Sequence, residues 1–271
     1  MATQQEKTAQ FRALHEGPAF VIANAWDAGS AKILAGIGFP ALATSSGAAA
    51  GILGRRDGQI TRAEALDHCR AIVAATDLPV SADLEKGFAD DPAQAAETYR
   101  LAAAIGLAGG SIEDASGNPA HPIYDFNHAV DRVAAAVAAA RASNTGFVLT
   151  ARTENHLRGV TDLDDTIRRL QAYEAAGADV LMAPGVTDLE QIRTVCAALT
   201  KPFNFMAGIP RRSFSVPELA ECGVRRVSLA TSLYRAAMSA LILAAREVQQ
   251  TGRLTYIDTA LPSAEINAYF S

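Results

Sequence analysis

Cysteine is scarce in this 271-residue chain: Cys69, Cys196 and Cys222 are far apart, odd in number and never in a CxxC spacing. Neither a disulfide framework nor a thiolate zinc site fits that pattern, and a reducing cytoplasm does. Aromatic residues are few, at 6%, with a single tryptophan. Basic runs are missing. The 24 Lys and Arg are scattered among 29 Asp and Glu, for a formal charge of −5, whereas nucleic-acid binding needs a concentrated positive surface. Nucleic acid is therefore not an expected partner. Long apolar runs are missing too: 133–140 and 236–245 are the longest, well short of the ~20 residues that cross a bilayer. The opening MATQQEKTAQFRALHEG is polar, without the apolar stretch of a secretion signal. A membrane is not expected as a partner, and a cytoplasmic location is. No Walker A sequence occurs, and no GxGxxG follows the first apolar run.

What is present is alternation. Short apolar or β-branched runs at 19–23, 41–44, 80–83, 110–113, 147–151, 180–183, 203–206 and 226–229 predict strands. Between them, alanine-rich segments at helical spacing predict helices at 28–35, 62–75, 92–104, 127–142, 163–176, 189–198, 216–222 and 232–249. A weak repeat marks half of the units: GIGFPALATSS, AIGLAGGSIED, AAGADVLMAPG and ECGVRRVSLAT each place a glycine, Gly38, Gly106, Gly177 or Gly223, where a helix must stop before a strand. Eight units over 271 residues average about 34 each, the size of one βα unit in a barrel of about 250 residues. No linker rich in Pro, Gly or Ser divides the chain. The expected fold is α/β, a single (β/α)8 TIM barrel over residues 1–271, with 253–271 as an added C-terminal helical segment for packing or oligomerisation.

In such a barrel the active site forms at the carboxyl ends of the strands. Four consecutive strands end in polar residues: Ser45-Ser46-Gly47, Asp83-Leu84-Glu85, Glu113-Asp114 and Arg152-Thr153-Glu154. Asp83 and Glu85, two apart at a strand exit, are expected to face the barrel mouth together. With Glu113 they make an oxygen-only donor set, suited to Mg²⁺ or Mn²⁺ keeping several waters rather than to zinc. Arg152 can fork onto a carboxylate, phosphonate or enolate oxygen of a ligand on that metal. Ser45, Ser46 and the Gly47 N–H can donate to the same ligand. The alternative is structural, with Asp83 and Glu113 merely paired to Arg152 or Lys86 and Asp114 capping a turn.

The motifs NAWDAGSA (24–31), SSG (45–47), ADLEKGF (82–88), SIEDA (111–115) and ARTE (151–154) together resemble the isocitrate lyase/phosphoenolpyruvate mutase superfamily, in particular its phosphoenolpyruvate-mutase-like branch. The resemblance runs from about Phe11 to the last helix. It implies a Mg²⁺-dependent barrel acting on small 2-oxo acids or their enolates. Asp83 would be the most direct metal ligand, with Glu85 and Glu113 contacting the metal or its waters. Ser45, Ser46 and Gly47 would hold the pyruvyl end, Arg152 the far side, and Asp57 in GRRDGQ would close near both. It also implies final helices exchanged between subunits, hence a homodimer or homotetramer; seven apolar residues of 253–270, among them Leu254, Ile257, Leu261 and Phe270, need a partner surface, the alternative being that this tail packs back on its own barrel.

Departures narrow the chemistry. The lyases carry a KKCGH-type loop after the fourth strand, where this chain has DASGNPAHPIY (114–124) without cysteine, and a Glu after the sixth strand, where it has Ala183-Pro184-Gly185. The phosphonate branch carries Lys-Thr-Asn in that loop; here only Asn118 and His121 are near. His121 is then the candidate proton carrier, or else a solvated loop residue. Trp26 and Glu154 are candidates for the substrate pocket, with Trp26 alternatively a helix-start residue beside an Asp27–Ser30 cap. His68 and Cys69 are expected in packing, His128 on a helix face, His156 and Arg158 at the rim or in solvent, and Arg211 and Arg212 on the surface or attracting an anion. The expected activity is a Mg²⁺-dependent lyase or decarboxylase acting on a small anionic carboxylic acid through a pyruvate-enolate-like state. P–C bond chemistry and a metal/2-oxo-acid binding protein without turnover are the alternatives.

Overall fold

The computed structural model describes residues 2–210 and 212–270, so Arg211 lies outside it. In chain order the elements are α1 (Gln4–Glu16), β1 (Phe20–Asn24), α2 (Ala28–Ile37), β2 (Leu42–Ala43), α3 (Ser46–Ile52), α4 (Arg62–Ala74), β3 (Val80–Asp83), α5 (Pro92–Ala104), β4 (Gly109–Glu113) and α6 (Phe126–Ala142). They continue with β5 (Val148–Arg152), α7 (Leu163–Ala175), β6 (Val180–Met182), α8 (Leu189–Ala197), β7 (Phe203–Met206), α9 (Val216–Glu221), β8 (Arg226–Ser228), α10 (Ser232–Thr251) and α11 (Ser263–Asn267). The strands pair in sequence order and β8 closes on β1, every pair parallel, as the sequence predicts.

Local chemistry sets the element ends. Asp27 accepts the Ser30 N–H at 2.6 Å and the Ser30 hydroxyl accepts the Asp27 N–H at 3.0 Å, the expected cap of α2. At Gly38, Gly106, Gly177 and Gly223 φ is 102°, 94°, 100° and 96°, a left-handed conformation that costs a side-chain-bearing residue about 1 kcal/mol or more. Two helices were not legible. α1 has only Phe11 and Leu14 as large apolar residues, and α3, SGAAAGI, has no periodic stripe.

The main core lies between sheet and helices, around Leu66, Leu84, Tyr99, Leu149, Leu170 and Ile192. A smaller cluster of Phe11, Phe20, Ile22, Val148 and Val180 fills the amino-terminal end of the barrel, so α1 plugs its floor. Above that plug the interior turns polar, with Ser81, Thr150, Asn204 and Arg226 buried. A cavity runs from Asn204 and Arg226 in this polar half to the carboxyl ends of the strands. α10 carries Leu241 and Leu243 exposed at 60% and 65%. The chain end returns to its own barrel, where the Tyr269 ring lies against Gly36 and Lys32 Nζ donates to the Phe270 carbonyl at 3.4 Å. Among the described residues no helix is long and apolar enough to cross a membrane.

Candidate active site

The site is built from the exits of β2 to β5. The Thr44 hydroxyl accepts the Asp83 N–H at 3.0 Å, tying two neighbouring strand ends together. Ser45 then caps α3, which turns Ser46 toward Asp83: the Ser46 N–H and hydroxyl reach Asp83 Oδ2 at 3.1 and 2.9 Å. The other oxygen, Oδ1, accepts the Glu85 N–H at 3.3 Å and lies 3.8 Å from Arg152 Nη1.

Arg152 is the hub of the charges. Its Nη2 stands 3.3 Å from Glu113 Oε2, across the β4–β5 register pair, and its Nε donates to Glu154. Burial pulls the guanidinium's pKa down, but Glu113, Glu154 and Asp83 outweigh it and hold it above its ordinary value. The carboxylates respond in kind. Burial, with the charges of Asp83 and Asp57, pushes Glu85 up to about 7. Burial also pushes Glu113 up against the pull of Arg152.

Behind this group lies a second network. Asp114, 3% exposed, accepts from Tyr173 at 2.7 Å, from the Glu154 N–H at 2.7 Å and from Arg169 at 3.3 Å. Arg169 also donates to the Tyr124 carbonyl at 3.1 Å, and Lys86 Nζ to the Ser116 carbonyl at 2.7 Å. Both ends of the 114–124 loop are thereby anchored.

A cavity of about 220 Å³ opens at the mouth. Of the predicted site residues, Ser45, Ser46, Asp57, Asp83 and Arg152 line it. Gly47 stands just behind: a Cβ there would be 3.3 Å from Asp57 Oδ2 and 3.1 Å from Thr231 Cγ2, so its bareness lets Asp57 approach.

The others do not line it. Glu113 reaches the site through Arg152. Glu154, 1% exposed, grips Arg152 and Arg158 and does not line the cavity. Trp26 packs edge-on to Tyr234 outside the cavity, and its carbonyl meets His68 Nε2 at 2.8 Å. His121 is exposed, its N–H donating to Asn118 O at 3.1 Å. The alternation argument for Glu85 fails in its geometry. β3 ends at Asp83, Glu85 takes φ 49°, and its buried Oε1 has no hydrogen-bond partner. The cysteines are free, and burial pushes Cys69 up to about 12. Sequence reasoning missed Thr44, Asn204, Arg226 and Ser228 as interior residues; the one available signal was arginine inside a predicted strand.

Among the described residues no three His, Cys, Asp or Glu side chains cluster closely enough to cage a metal. The donor set nonetheless fits a hard cation that keeps most of its waters. It consists only of oxygens, one of them an orphaned buried carboxylate oxygen, and Asp83, Glu85, Glu113 and Glu154 outnumber Arg152 and Arg158.

The sequence pattern of the phosphoenolpyruvate phosphomutase family matches residues 11–249. The chain belongs to that family. Within the wider isocitrate lyase/phosphoenolpyruvate mutase superfamily, its relatives are lyases and mutases. A Burkholderia cenocepacia J2315 protein provisionally named a lyase/mutase has a crystal structure that superposes with a TM-score of 0.96, at 51% identity, over 99% of this chain and 96% of that one. The oxaloacetate decarboxylase of Bradyrhizobium sp. (strain BTAi1 / ATCC BAA-1182) is 30% identical over 95% of this chain and 87% of its own length. The 2-methylisocitrate lyase of Escherichia coli (strain K12) is 32% identical over 71% and 67%. This chain is thus an enzyme of the lyase/mutase superfamily on a (β/α)8 barrel.

Proposed function

We propose that the protein is a Mg²⁺-dependent lyase of small 2-oxo acids, with oxaloacetate decarboxylation as the reaction to test first. The observation that carries this reading is Arg152 among Asp83, Glu113 and Glu154, opening on a cavity lined by Ser45, Ser46 and Asp57. Asp83 would hold the metal most directly, with Glu85 and Glu113 engaging it or its waters, and Mn²⁺ could substitute. Bound there, the ion would polarise the 2-oxo group and share the charge of the enolate.

The chain's own residues supply the rest. Ser45 presents a hydroxyl donor to the pyruvyl oxygens, and Ser46, whose hydroxyl is given to Asp83 in the free site, would turn from it to do the same. Arg152 has N–H groups beyond those engaged by carboxylates, and these can bind a substrate carboxylate. Glu154 fixes the plane of that guanidinium without touching substrate. Asp57 stands over Gly47 at the cavity edge and helps to exclude water there. Loss of CO₂ leaves the C–C electron pair on the enolate, and one proton completes pyruvate. His121, on the anchored 114–124 loop, is the proposed carrier of that proton; this role requires the loop to close over the mouth. The apolar residues exposed on α10 support burial against a second copy, which light scattering would read as a dimer or tetramer.

The test is turnover of oxaloacetate with Mg²⁺, followed by proton NMR against a protein-free Mg²⁺ control. Pyruvate formed above that control and lost in Asp83→Ala is the expected result. His121→Ala should lower kcat with KM nearly unchanged. Equal rates in wild type and Asp83→Ala would overturn the site. Turnover of phosphonopyruvate alone would move the reaction to P–C chemistry.

A further inference from the structure

The floor of the same cavity contains an arginine that the proposed reaction does not use. Arg226, at the start of β8, is 4% exposed, and together with Asn204 and Ser228 it lines the cavity whose mouth carries Asp83 and Arg152. Among the described residues no carboxylate lies within 4.0 Å of it. Its three hydrogen bonds go to uncharged groups: Nε to Asn204 Oδ1 at 2.7 Å, Nη2 to Thr150 Oγ1 at 2.9 Å, and Nη1 to His15 Nε2 at 3.3 Å. The last fixes the histidine as neutral, because its Nδ1–H is given to the Phe11 carbonyl at 2.7 Å and Nε2 must accept. A guanidinium has five N–H donors, so two remain unspent.

A buried charge is normally paired, because leaving it alone in a low-dielectric interior is expensive. Arg169 is paired with Asp114 and Asp165, and Arg152 with three carboxylates. Arg132 places its N–H groups on the carbonyl oxygens of Lys86, Ala89 and Asp90. Arg226 has one amide oxygen, one hydroxyl and one ring nitrogen. Phe11, Phe20 and the neutral His15 pack beneath it, while its own side chain lines the cavity, which gives compensating charge a route from the mouth.

We infer that the cavity floor is a binding site for a small anion held by the unspent N–H groups of Arg226, with Asn204 and Ser228 lining the space. The anion is either a free inorganic ion or the far carboxylate of a diacid seated at the mouth. The inference does not depend on which reaction the mouth performs.

Bromide-soaked crystals of the full chain test it by anomalous diffraction, and melting temperatures in chloride against gluconate at equal ionic strength test it in solution. The expected results are an anomalous peak at the Arg226 guanidinium and a rise of about 2–4 °C in chloride that Arg226→Met abolishes. A succinate soak separates the two sources. A bromide that stays marks a resident inorganic ion, whereas its replacement by carboxylate density marks the diacid. Absence of both bromide and carboxylate at Arg226 in wild-type crystals overturns the inference, whether or not Arg226→Met folds. So does an equal chloride response in wild type and Arg226→Met.

Discussion

Two tyrosines offer a comparison in which the acceptor's charge is the main variable. Tyr173 and Tyr99 are both fully buried, and each donates one hydrogen bond, Tyr173 to Asp114 Oδ2 at 2.7 Å and Tyr99 to the Ser111 carbonyl at 2.9 Å. Phenylalanine preserves the ring packing in both cases and removes only the hydroxyl. A bond to a neutral carbonyl contributes about 1 kcal/mol and one to a charged group about 1.5–3 kcal/mol. Asp114 cannot turn to water for compensation, and the remaining partner of Oδ2 is Arg169 at 3.3 Å. Tyr173→Phe should therefore lower the melting temperature by roughly 3–12 °C and Tyr99→Phe by roughly 2–4 °C, since 1 kcal/mol corresponds to about 2–4 °C in a chain of this size. A double-mutant cycle with Asp114→Asn should give a coupling of about 1 kcal/mol or more. If Tyr99→Phe costs as much as Tyr173→Phe, Asp114 is not a charged anchor.

Two further outcomes follow from other parts of the barrel. Burial, followed by the charge of Arg226, pushes His15 down to about 3, so the unfolded chain takes up this proton first. Its contribution to stability is complete above about pH 6.5 and falls as pH drops toward 3, by on the order of 4 kcal/mol; melting curves from pH 4 to 7 should show a shallower slope in His15→Gln, and equal slopes would refute it. Gly47→Ala forces Asp57 or Thr231 to yield by a few tenths of an ångström, so KM for oxaloacetate should rise several-fold while the melting temperature moves by less than about 2 °C; unchanged KM would mean that Asp57 does not close on the substrate.

The fold was legible because each βα unit repeats a simple physical pattern, and the glycine before β2, β4, β6 and β8 marks where a helix must end. α1 was not, because its importance lies in Phe11 plugging a barrel most of whose strands are far away in sequence. The mouth was partly legible. Ser46, Asp83 and Arg152 could be found because strand ends in a barrel are neighbours; Glu85 is near them too, within reach of the charges of Asp83 and Asp57, but it gets there through a left-handed turn and not through strand alternation, which stops where the strand stops. Glu154 illustrates a different limit. Sequence places it at the site, and only coordinates distinguish a side chain that meets substrate from one that holds Arg152. For Asp114 the sequence offers a turn cap only as the structural alternative, and it gives no sign that Tyr173 and Arg169 reach it from a helix 55 or more residues later.

The charges also bear on how the anionic substrate proposed for this site would enter. Asp57, Asp83, Glu85 and Glu113 crowd the mouth, and Arg152 already spends its charge on Glu113, Glu154 and Asp83. Two like charges 4 Å apart repel by about 4 kcal/mol at an effective dielectric of 20, so a dicarboxylate approaching this group without a counterion meets net repulsion. Burial and neighbouring carboxylates raise Glu85, which is how a site with surplus negative charge relaxes by taking up a proton. A divalent cation relieves the same surplus more completely and brings its own attraction for the substrate. Cation and substrate should therefore strengthen each other's binding by the same factor. A neutral ligand would gain nothing from the bound cation, so binding of a small organic anion that strengthens with Mg²⁺, read by calorimetry with and without the metal, is the outcome this charge pattern predicts.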